Sequence, residues 1–237
     1  MSDINITVEG GTSKRLLTAG KYCDRDIVVT AEGGGGTDST IKNYVEGNPV
    51  DINDEAVTNI RTRAFNYATN LTSVNFPNAE KVSSYAFAEC TGLVSANLPN
   101  VTSSSGTFLF DGCESLQNVN IPKVSSVSNY AFRNCSALEK IELGNISSCG
   151  SYSFSNAASL VAVIIRREGT KATTLSATNA FTGTPIASGT GYVYVPAALV
   201  DTFKTAANWK TYATQFRAIE DYTVDGTITG ELDESKI

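Results

Sequence analysis

A repeat solenoid is the fold class the sequence predicts, mostly β with a parallel strand ladder, a small N-terminal β module and a C-terminal helical cap. Three observations predict it. An aromatic recurs five times, as Phe65, Phe87, Phe110, Phe132 and Phe154, with gaps of 22, 23, 22 and 22 residues. Leucine follows six places on with the same gaps, as Leu71, Leu93, Leu116, Leu138 and Leu160. Apolar residues then stand at plus nine and plus eleven, and Pro77, Pro99, Pro122 and Gly144 close the first four copies at plus twelve. A unit this short cannot bury its own apolar face, so a core forms only when neighbouring copies stack.

The elements follow in chain order. Residues 1 to 33 hold two β-like runs, Ile4 to Val8 and Asp26 to Thr30, separated by glycine-rich turns and by Arg15 to Thr18, which predicts a small β module. Gly33 to Gly36 leads into a linker over residues 34 to 40, read as a flexible joint. The solenoid with its caps is expected over residues 41 to 222. Its first rung, Val50 to Ile52, lies one period before Val74 and carries polar Asp54 where Phe76 would stand, as suits a rung facing water.

In the regular copies, Leu71/Val74/Phe76, Leu93/Ala96/Leu98, Leu116/Val119/Ile121, Leu138/Ile141/Leu143 and Leu160/Val163/Ile165 lie at i, i+3 and i+5. That spacing predicts a bend and then a short strand with alternate residues inward, so that Val74, Ala96, Val119, Ile141 and Val163 share one buried row. A second inward position, Ile60, Val82, Ser105, Val127 and Cys149, predicts a second strand-like edge per turn. Tyr192 to Val195 restores a strand before Pro196, which opens a helix with Leu199, Val200 and Phe203 on one face. Asn208 is expected to cap a second helix bearing Trp209, Tyr212, Phe216 and Ile219. The acidic stretch 223 to 237 reads as a loosely ordered tail.

The stretches Tyr85 to Leu93 (YAFAECTGL) and Tyr130 to Leu138 (YAFRNCSAL) resemble the BspA-type leucine-rich repeat, and the resemblance extends over residues 41 to 220. It implies a curved solenoid used for binding, found on bacterial surfaces and in phage and prophage proteins, and it implies no catalysis. Separately, Leu16 to Thr30 is similar to short segments of phage tail-region and other virion proteins. That second resemblance shifts the expected location from the bacterial cell surface to the virion, with the N-terminal module meeting other virion proteins.

A net charge of −6 and a pI near 4.8 argue against nucleic acid and against anionic membrane surfaces as partners. The chain opens Met1-Ser2-Asp3-Ile4 without the cationic and apolar runs of a secretory signal, and no run approaches the ~18 apolar residues of a span, so neither export by a cleaved leader nor membrane insertion is expected. Three of the five cysteines, Cys90, Cys113 and Cys135, share one repeat position, where small buried thiols suit the core better than disulfides. No histidine is present, which excludes Cys-His and Ser-His nucleophile pairs and Cys2His2 zinc sites; no metal or other cofactor is expected.

Two regular arrays lie outside the predicted core. On the strand face, Ser95, Asn97, Gln117, Asn118, Asn120, Glu139, Lys140 and Glu142 present groups that both donate and accept, which suits saccharide hydroxyls or a polar protein epitope and equally suits a solvated face. Outward Val161, Ala162 and Ile164 are expected to meet the irregular 166 to 190 segment. Two places before each Phe stand Tyr85, Phe108, Tyr130 and Tyr152, with Arg63 interrupting the column in the first copy. Stacked on successive rungs they would offer an interface ribbon or stiffen the edge internally. Glu139 and Glu142 are the only outward carboxylates on the strand face, but nothing in the sequence supplies a deep pocket for glycosidic chemistry. The expected function is therefore non-enzymatic binding of a host-surface glycan or protein, on a phage or prophage virion. The alternatives are a bacterial surface adhesin and a virion spacer, and homo-oligomerisation is left open.

Overall fold

The computed structural model describes residues 4–7, 14–17, 21–30, 38–46, 50–104, 106–219, 223–224 and 227–228. Each repeat lays down two short strands. The longer edge carries Val50–Asn53, Leu71–Asn75, Ser95–Asn97 and Asn118–Asn120 in one parallel sheet, and Lys140–Leu143, Ala162–Ile165, Tyr192–Val195 and Phe216–Ala218 in another. Register follows the inward side chains, with Ile52, Val74, Ala96 and Val119 in line, then Ile141, Val163, Val193 and Phe216.

Two expectations change at this edge. The ladder does not run unbroken from Val74 to Val163 but divides between Asn118–Asn120 and Lys140–Leu143. Val119, beside the division, is only half-buried, whereas Val74, Ala96, Ile141 and Val163 are buried.

The second edge is a row of two-residue strands, Asn59–Ile60, Lys81–Val82 and Ser103–Ser104 in one sheet and Ser126–Val127, Ser148–Cys149 and Thr174–Leu175 in the next. Ile60, Val82, Val127, Cys149 and Leu175 are buried. Ser104, not Ser105, pairs opposite Val82, so the extra residue of the 23-residue gap falls between Ser104 and Phe110; Ser105 itself lies outside the described residues. Towards the N-terminus, Ile4–Thr7 pairs antiparallel with Lys14–Leu17. Lys21–Thr30 pairs antiparallel with Asp38–Glu46, a strand that begins inside the 34 to 40 stretch, and with Asn59–Ile60. In the tail, Thr223–Val224 and Thr227–Ile228 pair antiparallel.

The interior is a stack of phenyl rings. Phe65, Phe87, Phe110, Phe132, Phe154 and Phe181 follow one another with ring centroids 5.2, 5.1, 5.4, 5.5 and 5.3 Å apart and planes within 13° of parallel. This is close to the ~4.8 Å rise of a strand ladder, which holds the rings in register. Phe181 extends the stack by one rung although 27 residues separate it from Phe154, because the irregular stretch spends its extra residues at the surface.

The thiols have a role beyond filling space. Cys90, Cys113 and Cys135 donate from Sγ to the carbonyls of Phe65, Phe87 and Phe110 at 2.9, 3.0 and 3.1 Å. A cysteine one turn on thus supplies a small, weak donor to a buried carbonyl. All three are buried and free, as is Cys149. Burial pushes the thiols of Cys113 and Cys135 well up, and that of Cys149 up to about 12. The thiolate is the reactive form. Native protein at pH 8 is therefore expected to leave all four unlabelled by iodoacetamide over the time in which denatured protein is fully labelled. Mass spectrometry reads the difference, and rapid native labelling would contradict the burial.

At the C-terminal end, Ala197–Leu199 forms a 3-10 turn and Val200–Thr205 an α-helix, as Pro196 and the Leu199/Val200/Phe203 face suggest. The second helix differs from expectation. Trp209–Gln215 is 3-10, and Phe216–Ala218 is a strand paired with Tyr192–Val195. Asn208 stands at the N-cap position but its side chain makes no capping bond; it takes φ of 63° and donates its side-chain amide to the Leu175 carbonyl at 2.7 Å. The sequence spacing fits a strand of alternate inward residues as well as a helix, and pairing with the last rung decides. Trp209 is fully buried against Phe181, Phe203 and Phe216, with its Nε1 donating to the Thr173 carbonyl at 2.6 Å. The cluster closes the open end of the core and offers no exposed platform. Ala162 and Ile164 are covered by Tyr194 and Ile219, with Tyr192 against them, rather than by the 166 to 190 segment.

Candidate functional site

Outward residues of the first four rungs are tied to one another. Asp51 accepts from the hydroxyls of Thr72 and Ser73 at 2.6 and 2.5 Å. Beyond it runs an asparagine ladder. Asn75 donates to Asn53 Oδ1 at 2.8 Å, Asn97 to Asn75 at 2.6 Å, and Asn120 to Asn97 at 2.6 Å, every amide pointing its Nδ2 towards the N-terminal end. Asn97 and Asn120 therefore spend donors on the scaffold, which removes part of the binding capacity the sequence suggests for them.

The ladder stops where its chemistry changes. One period after Asn120 the equivalent residue is Glu142, an acceptor with no amide to continue the ladder. Two acceptors cannot bond. Glu142 pairs instead with the Arg166 guanidinium. This is where the sheet divides, and an open cleft of about 570 Å³ lies there, lined by Gln117, Asn118, Val119, Ala137, Glu139, Lys140, Glu142 and Ser159. Five residues selected from the sequence, Gln117, Asn118, Glu139, Lys140 and Glu142, are thus brought together. Ser95, Asn97 and Asn120 lie on the same face outside the lining. Val119, Ala137, Ser159 and the partner Arg166 were not singled out; the substitution of Glu142 in an asparagine column was the signal available in the sequence.

The aromatic column is also real, and its rings use their faces on each other. Tyr85, Phe108, Tyr130 and Tyr152 stack with centroids 4.7, 4.5 and 5.1 Å apart, and all four are half-buried. Arg63 does not break this column but ends it, with its guanidinium 5.0 Å from the Tyr85 ring centroid. Arg133 sits 4.9 Å from the Tyr130 centroid and 5.4 Å from that of Phe108, held by a two-pronged bond to buried Asp111 at 2.8 and 2.6 Å. All four aromatics adopt φ between 54° and 61°, a left-handed conformation that costs a bulky side chain roughly 1 to 2 kcal/mol. Stacking offsets that cost. Replacing Tyr130 by alanine is accordingly expected to lower stability by about 1 to 2 kcal/mol in urea unfolding; an unchanged midpoint would show the ring to be unsupported.

Beside this column, Glu89 is half-buried near Asp111 and Glu114, and burial first, then the Asp111 charge, pushes its carboxyl up from the usual range. A carboxyl raised in the folded state favours folding while protonated, and that contribution is lost as pH rises through its folded pKa. Glu89→Gln is therefore expected to raise the thermal midpoint at pH 7 and to leave it unchanged at pH 3. A midpoint lowered at pH 7 would show the charge to be stabilising.

A family model for the BspA type leucine rich repeat region matches residues 58–185 in six copies, the number of rings in the phenylalanine stack. No curated protein matches the sequence. Among solved structures, a leucine rich cell surface protein from Faecalibacterium prausnitzii A2-165 is similar at 22% identity with a TM-score of 0.50, over 76% of this chain and 50% of that one. A leucine rich repeat protein from T. pallidum is similar at 18% identity with a TM-score of 0.39, over 66% of this chain and 62% of that one. The chain thus spans half the length of the first and less than two thirds of the second, and the first likeness is one of fold.

Proposed function

The chain belongs to the BspA-type leucine-rich repeat family, and from that premise we propose that it is a non-catalytic binding module that engages a host-surface glycan or protein through the cleft between its two strand sheets. The observation that carries this is the cleft itself. It is the place on the strand face where the internal polar ladder ends, and exposed Gln117, Asn118 and Glu139 line it. Its volume is within the roughly 300 to 1,000 Å³ of small-ligand sites. The aromatic column offers less, because stacking and the two arginines occupy the ring faces.

Catalysis is not part of the proposal. Glu142 is committed to Arg166, so the pair Glu139 and Glu142 does not provide the two available carboxylates that glycoside hydrolysis uses. The family favours a role at the bacterial cell surface. The virion reading draws on the similarity of residues 16 to 30, which the family match, beginning at residue 58, does not reach. Reversing charge in the cleft with Glu139→Arg is expected to reduce attachment of the fluorescently labelled chain to host cells at least tenfold. Unchanged attachment would move the site elsewhere.

A further inference from the structure

We propose that a recess on the turns of the first copies, between Tyr67 and the aromatic column, docks a partner protein through a segment that presents a basic side chain to Glu89 and an acidic one to Arg63. The recess shares no lining residue with the strand-face cleft, and the inference does not rest on that cleft.

The recess is open, about 470 Å³ in volume, and Arg63, Tyr67, Tyr85, Glu89, Asp111 and Arg133 are among its lining. Its four charges are of two kinds. Arg133 and Asp111 hold each other in the two-pronged pair, so both are committed to the scaffold. Arg63 and Glu89 have no ion-pair partner among the described residues, and although opposite in sign they are not joined to each other. Two unmet charges of opposite sign in one recess call for a ligand that carries the complementary two.

Glu89 is the costlier of them to the fold. It is half-buried, and Asp111 and Glu114 lie close enough to oppose its charge, which Arg133 offsets only in part. Its backbone is left-handed, with φ of 60°, at the position where the next three copies carry Gly112, Asn134 and Asn156. A strained, half-buried carboxylate without a counter-ion is accounted for by a cation that arrives with a partner.

The surrounding side chains favour a protein as that partner. Tyr67 is 48% exposed at the recess, the most exposed large apolar side chain among the described residues. Tyrosine and arginine are the residues on which protein interfaces concentrate binding energy, and two of each line this recess. Tyrosine faces beside a carboxylate also suit an ammonium or guanidinium group.

The test applies the fluorescently labelled whole chain to an array of peptides that carry lysine and glutamate at varied spacing, lysine alone, glutamate alone or neither. Peptides with both charges should bind about tenfold or more tighter than those with neither. Glu89→Gln should abolish the preference for lysine, and Arg63→Gln the preference for glutamate. Because Glu89→Gln is expected to raise the thermal midpoint at pH 7, its loss of binding would not be a loss of folding. Binding that ignores peptide charge, a lysine preference that survives Glu89→Gln, or an array left unbound would overturn the proposal. Free lysine and glutamate competing as well as the peptides would make the recess an amino-acid site and overturn the docking of a protein.

Discussion

Replacing Phe110 with alanine is expected to lower the stability of the solenoid by about 3 to 5 kcal/mol, the cost of truncating a large core residue. The ring has no exposed surface and lies between Phe87 and Phe132, with centroids 5.1 and 5.4 Å away. Its loss removes two stacking partners at once. The Phe110 carbonyl, which accepts from Cys135 Sγ, would also lose the packing that fixes it. Because a solenoid is held by nearest-neighbour interfaces, a cavity in a middle rung weakens two interfaces where one at an end weakens a single interface. Urea unfolding followed by circular dichroism gives the comparison. A change under about 1 kcal/mol, below the range for core truncation, would mean that the phenylalanines do not form the central stack.

Gly144→Ala is expected to cost about 2 to 3 kcal/mol for a different reason, overpacking of a backbone approach. Gly144 occupies the position that Pro77, Pro99 and Pro122 hold in the earlier copies. A Cβ there would come within 2.0 Å of the Pro122 carbonyl oxygen, which is backbone and cannot swing aside. The rungs on either side of the strand division are therefore pinched together at this point. Gly169 is the control, since its φ of 84° strains any side chain but nothing lies within 4 Å of an added Cβ. Gly169→Ala should cost only the conformational term of roughly 1 kcal/mol. Equal losses at both positions, measured by thermal unfolding, would show that the close approach at Pro122 is not a constraint.

The repeat was legible because burial repeats. Phe65 to Phe154, the leucines and the inward strand residues each keep one spacing, and each answers to the same core. What depends on direction or on backbone conformation was hidden. The left-handed turn at Tyr85, Phe108, Tyr130 and Tyr152 leaves no trace in those residue types, whereas its counterpart two places after each Phe reads Tyr67, Glu89, Gly112, Asn134 and Asn156, and the Gly and Asn there are its signature. Phe181 escaped because an irregular insertion changed the gap to 27 residues. Phe216 fitted a helical period and a strand alternation alike, and the choice was made by an edge that only the assembled solenoid provides. On the strand face, residue types pointed to a polar array, but which amides are spent on the ladder follows from the order of donors and acceptors along it.

That the strand face binds while the aromatic column supports is the central claim, and one paired measurement tests it most directly. Asn118→Ala and Tyr130→Ala are made in the whole chain, and each is assayed for thermal midpoint and for attachment to host cells. Asn118→Ala should keep the midpoint and lose about tenfold in attachment, and Tyr130→Ala should lose several degrees while attachment below its midpoint persists. The reverse pattern, a stable Tyr130→Ala that no longer attaches beside a fully adherent Asn118→Ala, would contradict the account.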